Sequence, residues 1–315
     1  MKNKIRNIIA ISAVILASMA HLAYSETFSE AFAKAKASGL AEFSYNGSLF
    51  STQTAEEAAN KTYGPFPVTV KGYTGSKTNS VAYTGQVARH VLHDSLKKLS
   101  SKGNMGDMMV YFQGSDTNLA IVAPASKEGF PIKQSSVNDI SKGKNLSGKT
   151  YKGVINAWPG QMTGPEVLEF MIEKAATSSG GFDEATGYNY TQLISKFAMG
   201  AVFYNQAVDN YLDEKLAADN KPNNKPYKDG AHYTGKEHVW DEAFGYWGAA
   251  AHSLQLSAKE NYEIAKMKNL AAADANGDGV VDLKSEYNFA HSYYASSFDK
   301  GGKTNYFATV TKAFI

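Results

Sequence analysis

Two acid-rich stretches hold the residue types that do chemistry. In the first, Asp274, Asn276, Asp278 and Asp282 occupy places 1, 3, 5 and 9 of a run with Gly279 at place 6 and Val281 at place 8. Alternate side-chain oxygens wrap a hard cation, the glycine admits a sharp turn, and the backbone carbonyl of Val280 adds a ligand. The pattern predicts a calcium loop. Place 12 is Ser285, with Glu286 one residue later. A loop longer by one residue lets Glu286 supply the bidentate carboxylate. Extracellular calcium sites are typically weak and kept filled, so the expected role is structural. The competing reading is an Asx-rich turn before a helix capped by Asp282 or Ser285.

The second stretch is Glu237-His238-Val239-Trp240-Asp241-Glu242. On a helix His238 and Glu242 are neighbours four apart, as are Glu237 and Asp241. Histidine with carboxylates suits iron or zinc, so these four are the candidate ligand-binding residues. No histidine stands four residues after His238, so the zincin protease motif is not formed. Gly245 and Ala249 continue the His238 face, which lets another element come close. The competing reading is a buried histidine–carboxylate pair that joins helices.

A third motif matches a phosphate-binding loop as a string: G-x-x-x-x-G-K-T over residues 143–150. That mechanism needs a buried strand before the loop and a helix after it. Residues 135–140 are polar, and Gly153 and Pro159 would interrupt any helix beyond the loop, so no nucleotide is expected. His90 and His93 fall beside Lys97, opposite a leucine face, and read as solvated. No G-x-S-x-G occurs, so serine-hydrolase catalysis has no support.

The elements that must position these residues are helices. Apolar periodicity predicts them over 27–40, 84–102, 163–177, 190–218, 234–252, 258–273, 284–297 and 303–315. Thr27–Glu30, Thr163–Glu166 and Thr234–Glu237 read as capping boxes. The longest helix repeats Leu193, Ile194, Phe197, Ala201, Tyr204, Val208, Tyr211 and Leu212 at spacings of three and four, and should be central. Residues 44–82 and 103–162 read as mostly loop. The expected fold is mainly α: a helical bundle with long irregular loops and little strand, over residues 26–315. The polar stretch 219–231 is the best internal boundary, giving possible sub-units 26–218 and 232–315. The final apolar residues, without a cap, point to a truncated C-terminus.

Composition narrows the function classes. The chain has 315 residues and no cysteine, which excludes disulfides, thiolate metal sites and cysteine nucleophiles. Residues 1–25 carry Lys2, Lys4 and Arg6, then an apolar run over 8–20 and the small residues Ala23 and Ser25. The run is shorter than the roughly 20 residues of a membrane span and reads as a cleaved secretory signal. The expected location is periplasmic or secreted, with no membrane span after cleavage. Cleavage removes three of the 32 basic residues and none of the 30 acidic ones, so the net charge falls from +2 to −1. Arg89 is then the sole arginine. Arginine is the preferred residue for base-edge contacts, so no nucleic acid is expected.

Three stretches carry a resemblance: Val81-Ala82-Tyr83-Thr84-Gly85-Gln86-Val87-Ala88-Arg89, Met199-Gly200-Ala201-Val202-Phe203-Tyr204-Asn205-Gln206-Ala207, and Glu237-His238-Val239-Trp240-Asp241-Glu242-Ala243-Phe244-Gly245-Tyr246. They resemble the bacterial domain of unknown function family 4856, as does the 274–286 loop with Tyr287-Asn288. More distantly the chain is similar to imelysin-like proteins, which are exported, helical and implicated in iron uptake. Their G-x-H-x-x-E signature implies a role for His238 with Asp241 or Glu242, although Gly235 precedes His238 by three places rather than two. The first functional reading is therefore an exported helical protein that binds a metal ion or small ligand, iron-associated, with a structural calcium loop. A metal-dependent hydrolase using His238 and Glu242 is the second, and a structural or partner-binding surface protein the third.

Overall fold

Threonine and glutamate three residues apart start helices where the spacing places them. Capping boxes open Phe28–Ala37 (α1), Gly164–Thr177 (α4) and Gly235–Trp247 (α6), and a fourth, Ser257 with Glu260, opens Ala258–Ala265 (α7). Each box satisfies backbone amides that the first helical turn leaves unpaired. A computed structural model describes residues 26–40, 42–52, 62–156, 160–215 and 223–315. The leader assigned to residues 1–25 lies outside them. The remaining helices are Thr84–Leu99 (α2), Met105–Gln113 (α3), Tyr190–Ala198 (α5), Leu270–Ala273 (α8), Ala290–Asp299 (α9) and Tyr306–Phe314 (α10). Strands among the described residues are two to four residues long. The protein is mainly α, and no helix of the described residues is long and apolar enough to cross a membrane.

The chain divides into Met1–Ala59 and Asn60–Ile315. In the first unit α1 packs on a hairpin of Glu42–Tyr45 (β1) and Ser48–Ser51 (β2) through Phe28, Phe32 and Phe43. Asn46 and Gly47 both take positive φ, the turn that matches strand twist in a two-residue hairpin. The expected loop over 44–82 therefore begins with a strand pair, marked by an Asn-Gly signal.

In the second unit one core unites residues from both sides of 219–231: Val202, Phe203 and Tyr211 before it, Val239, Phe244 and Tyr246 after it. The chain does not divide at that stretch, part of which lies outside the described residues. Helix α2 runs through this core. His90 and His93, read as solvated, are buried with Val87, Val91 and Leu92. His90 Nε2 lies 3.0 Å from the Gly245 carbonyl, and His93 Nε2 lies 3.1 Å from the Ser195 carbonyl. A polar stripe on one helix thus becomes interior once α5 and α6 cover it.

Helix α5 continues not as an α-helix but as a π-helix, Met199–Lys215. Bonds from i to i+5 put more residues into each turn, so the inward face slips relative to a 3.6-residue spacing. Val202, Phe203, Gln206 and Tyr211 are buried, whereas Tyr204, expected in the core, is 54% exposed. Met108–Phe112, expected as an irregular piece, lies within α3, capped by Asn104. Residues 282–289 are not helical, so α9 starts at Ala290, later than predicted.

Candidate functional site

Helix α6 presents the His238 cluster, and its geometry splits the four candidates into two stripes. Successive residues turn by about 100° around an α-helix, so Glu237 and Asp241 share one side and His238 and Glu242 the next. Glu237 accepts from the Thr234 amide at 2.6 Å and from the Thr69 hydroxyl at 3.0 Å. It is the capping residue of its own helix. Asp241 is buried and accepts from the Tyr63 hydroxyl at 2.6 Å and the Ala82 amide at 2.7 Å. Both of its oxygens are thereby used to fasten residues 63 and 82 to α6. Burial, the largest influence, raises the Asp241 carboxyl to about 7, against the lowering effect of these two bonds.

His238 and Glu242 do meet. Nε2 of the imidazole lies 3.4 Å from Oε2 of the carboxylate. The other carboxylate oxygen accepts from the Gln86 side-chain amide at 2.7 Å. The imidazole lies against the rings of Tyr227 and Tyr233, with centroids 4.2 Å and 5.0 Å away. Side chains of both residues are about one-sixth exposed, 16% for His238 and 17% for Glu242. The pair is within reach of solvent, unlike Asp241. Gly245 allows this arrangement. A Cβ there would stand 2.7 Å from Gln86 Cβ and 2.8 Å from Tyr83 Cβ, so α2 crosses α6 in contact and delivers Gln86 to Glu242. The close approach expected of the Gly245 face is made by α2.

Residues that spacing on α6 does not reveal complete the surroundings. Tyr211 comes from the π-helix, and its hydroxyl receives the Lys149 ammonium at 3.4 Å. Burial and the neighbouring Glu242 carboxylate push the Tyr211 hydroxyl far up. Lys149 and Lys144 both belong to the G-x-x-x-x-G-K-T string, and Arg89 Nε donates to the Asn145 carbonyl at 3.0 Å. The string does not form a phosphate cradle of backbone amides. The Gly148, Lys149 and Thr150 amides donate to Asn145 Oδ1 and to the Leu146 and Ser147 carbonyls within the loop. A 3₁₀ turn, Ser147–Lys149, stands where a helix would be required. The available signals were that string and the solitary arginine, but nothing in the sequence placed them beside Glu242.

The 274–286 loop holds together as a unit. Asp274 accepts from the amides of Asp278 and Gly279, Asn276 from Asp278, and Asp278 from Val280. Gly277 and Gly279 take positive φ, which glycine alone adopts without strain. Glu286 reaches across the loop and accepts from the amides of Ala275 at 3.1 Å and Asp282 at 2.7 Å. The residue one place beyond the regular position is therefore the one that closes the loop. Burial first, and the Asp274 and Asp282 charges among the lesser causes, raise its carboxyl. Val281 pairs with the 131–133 backbone, and Gln134 bonds both Asp282 and the Leu283 amide. The Lys133 ammonium stands 3.5 Å from Asp282 and 3.9 Å from Asp278. Among the described residues, no three histidine, aspartate or glutamate side chains are grouped as a metal centre.

Residues 171–280 match a family model described as "Domain of unknown function (DUF4856)", about a third of the chain, and over this stretch the chain is similar to that family. The match includes the π-helix, α6 and the start of the acidic loop. No curated protein and no solved structure matches the chain. None of these comparisons bears on the imelysin-like resemblance expected from the residues of α6.

Proposed function

We propose that this protein is an exported helical binding protein whose ligand engages His238 and Glu242. The 274–286 loop holds a structural calcium ion. The observation that carries the reading is the His238–Glu242 pair itself. It is reachable by solvent and held from behind by Gln86, while the adjacent Glu237 and Asp241 are consumed in fastening the helix. Export rests on the basic and apolar pattern of residues 1–25.

The donor set bears on the ligand. His238 and Glu242 supply two donors, whereas protein zinc sites supply three or four. Iron or zinc at this place would arrive with ligands of its own, as part of a small-molecule complex. In the loop, hard oxygens from Asp274, Asn276, Asp278, Asp282 and Glu286 suit calcium, and each carboxylate keeps lone pairs beyond those its amide bonds use. Lys133 would leave Asp278 and Asp282 when the ion entered.

Zinc and ferric citrate titrated into the purified protein test the first claim. Binding that is lost in His238→Ala and Glu242→Gln, at unchanged melting temperature, supports it. If nothing binds and His238→Ala only lowers the melting temperature, the pair is a weld between helices.

A further inference from the structure

Among the described residues, the His238–Glu242 pair is bordered by more positive than negative charge. Lys144 lies over the start of α2: a side chain on Gly85 would meet Lys144 Nζ and Arg89 Nη1, each at 3.7 Å. Both cations therefore stand beside the same backbone position. Arg89 Nη1 donates to the Gly85 carbonyl at 3.1 Å and Nε to the Asn145 carbonyl, so the guanidinium is held by backbone oxygens rather than by a carboxylate. Lys149 completes the group from the Tyr211 side. Among the described residues no carboxylate lies within ion-pair distance of any of the three. Glu242, whose charge is felt at Lys144, Lys149 and the Tyr211 hydroxyl, is the neighbouring anion. Among the described residues, these three cations against one carboxylate leave two positive charges in surroundings where Arg89 is 8% exposed.

Partly buried like charges repel, and removing them from water costs free energy unless something pairs with them. Burial first, and then the Arg89 charge, lower both the Lys144 and the Lys149 ammonium. A second polar group is also left open. Tyr246 is fully buried, and its hydroxyl lies near Arg89 and Glu242 without a well-directed hydrogen bond among the described residues. The Arg89 guanidinium can only donate to this hydroxyl, whose own proton finds no acceptor among the described residues; buried hydroxyls normally have one, which points to an acceptor that arrives from outside.

We propose that Arg89, Lys144 and Lys149, ranged beside Glu242 and the Tyr211 and Tyr246 hydroxyls, receive an oxyanion, the carboxylate or phosphate group of a small ligand. The inference rests on the reading of the His238–Glu242 region as the ligand site, and adds the charge of what binds there. Side chains hold the anion; the loop amides, turned onto Asn145, Leu146 and Ser147, do not. The ligand spans the surface from the cations to His238, with its anionic end at Lys149 and its neutral or metal-bearing part against the imidazole and the Tyr227 and Tyr233 rings.

Calorimetric titration of the whole chain with inorganic phosphate and with citrate tests the proposal, using wild type, Lys144→Gln, Lys149→Gln and His238→Ala. Wild type should bind at least one of the two, and each lysine variant should bind it about tenfold or more weakly, the loss of one charge-assisted hydrogen bond. The melting temperature of the lysine variants without anion should hold or rise, because a repelling charge has gone. Phosphate binding alone assigns a phosphoryl group, and citrate binding alone assigns a carboxylate. If wild type binds neither, or the lysine variants bind as well as wild type, the proposal is overturned. Zinc and ferric citrate titrations on the same proteins separate the two claims. Anion binding that survives His238→Ala, with no metal bound by wild type, retains the cationic receptor and removes the metal-associated reading. Zinc binding without either anion does the reverse.

Discussion

The 274–286 loop and the 237–242 segment of α6 are built from similar side chains, and the fold uses them differently. In the loop, Asp274, Asn276 and Asp278 turn their oxygens toward amides of the same turn, because a chain folded back on itself brings alternate positions close to one another's backbone. On α6 the same density of acids radiates around the helix axis. Glu237 and Asp241 go one way, to Thr69, Tyr63 and Ala82, while His238 and Glu242 go another, to Gln86 and the tyrosines. A loop motif therefore carries its hydrogen-bond partners with it. A helical motif carries only one stripe, and its neighbours supply the rest.

That contrast can be broken most forcefully at Asp241. Asp241→Ala leaves the Tyr63 hydroxyl and the Ala82 amide unpaired in the interior, at about 1–3 kcal/mol each, so denaturant unfolding should show a loss of about 2–6 kcal/mol. An effect below about 1 kcal/mol would mean that Asp241 does not fasten residues 63 and 82. Gly245→Ala comes next. Its added methyl meets the Cβ atoms of Gln86 and Tyr83, which cannot rotate away, so α2 must shift at a cost of about 1–3 kcal/mol. The same variant should loosen Gln86 from Glu242 and weaken ligand binding beyond its effect on stability.

The loop makes its own demand. Calcium at a concentration of about 100 times its Kd adds about 2.7 kcal/mol to the stability of a protein that binds it only when folded. A chelator should lower the melting temperature accordingly, and Asp274→Ala should abolish the difference. Lys133→Met should enlarge it, since the ammonium competes for Asp278 and Asp282. Identical melting with calcium and with chelator would reduce the loop to a self-bonded turn.

A pH comparison sharpens the difference between the stripes of α6. The Asp241 carboxyl is raised to about 7 in the folded chain, so the native state holds a proton that the unfolded state releases near pH 4. Its contribution is present below about pH 4 and declines until about pH 7. His90 behaves in the opposite sense: burial lowers it to about 3, so its contribution is present above about pH 6.5 and is lost as pH falls toward 3. In wild type the two slopes oppose each other. Asp241→Asn should unmask the histidine slope, so that stability rises between pH 4 and 6.5 by up to about 1.4 kcal/mol per unit. An unchanged profile would show that Asp241 does not titrate in that window. The smallest effect on stability is expected for His238→Ala, whose partly exposed side chain should cost below about 1 kcal/mol while its loss removes ligand binding.

Much of the fold was legible locally. The three capping boxes, Thr27–Glu30, Thr163–Glu166 and Thr234–Glu237, start helices as expected, because a cap depends on four adjacent residues. The π-helix was not legible. Tyr204 and Tyr211 sit on one α-helical spacing pattern, yet one is exposed and the other buried, since the winding changes at Met199. His90 and His93 failed for a related reason: the polarity of one helix face does not announce that α5 and α6 will cover it.

The candidate site divides in the same way. Sequence alone determined that Asp274, Asn276 and Asp278 form a self-bonded turn, because glycines and alternate side-chain oxygens dictate the backbone they sit on. It also determined that His238 and Glu242 are paired, because four residues make one helical turn. The tertiary structure alone decided that Asp241 is a fastener and that Gln86 backs Glu242. It also brought Arg89 together with Lys144 and Lys149, which lie 55 and 60 residues further along the chain, beside one carboxylate. Contacts within a turn arise from covalent geometry; contacts between distant residues exist only after the core has chosen which faces touch.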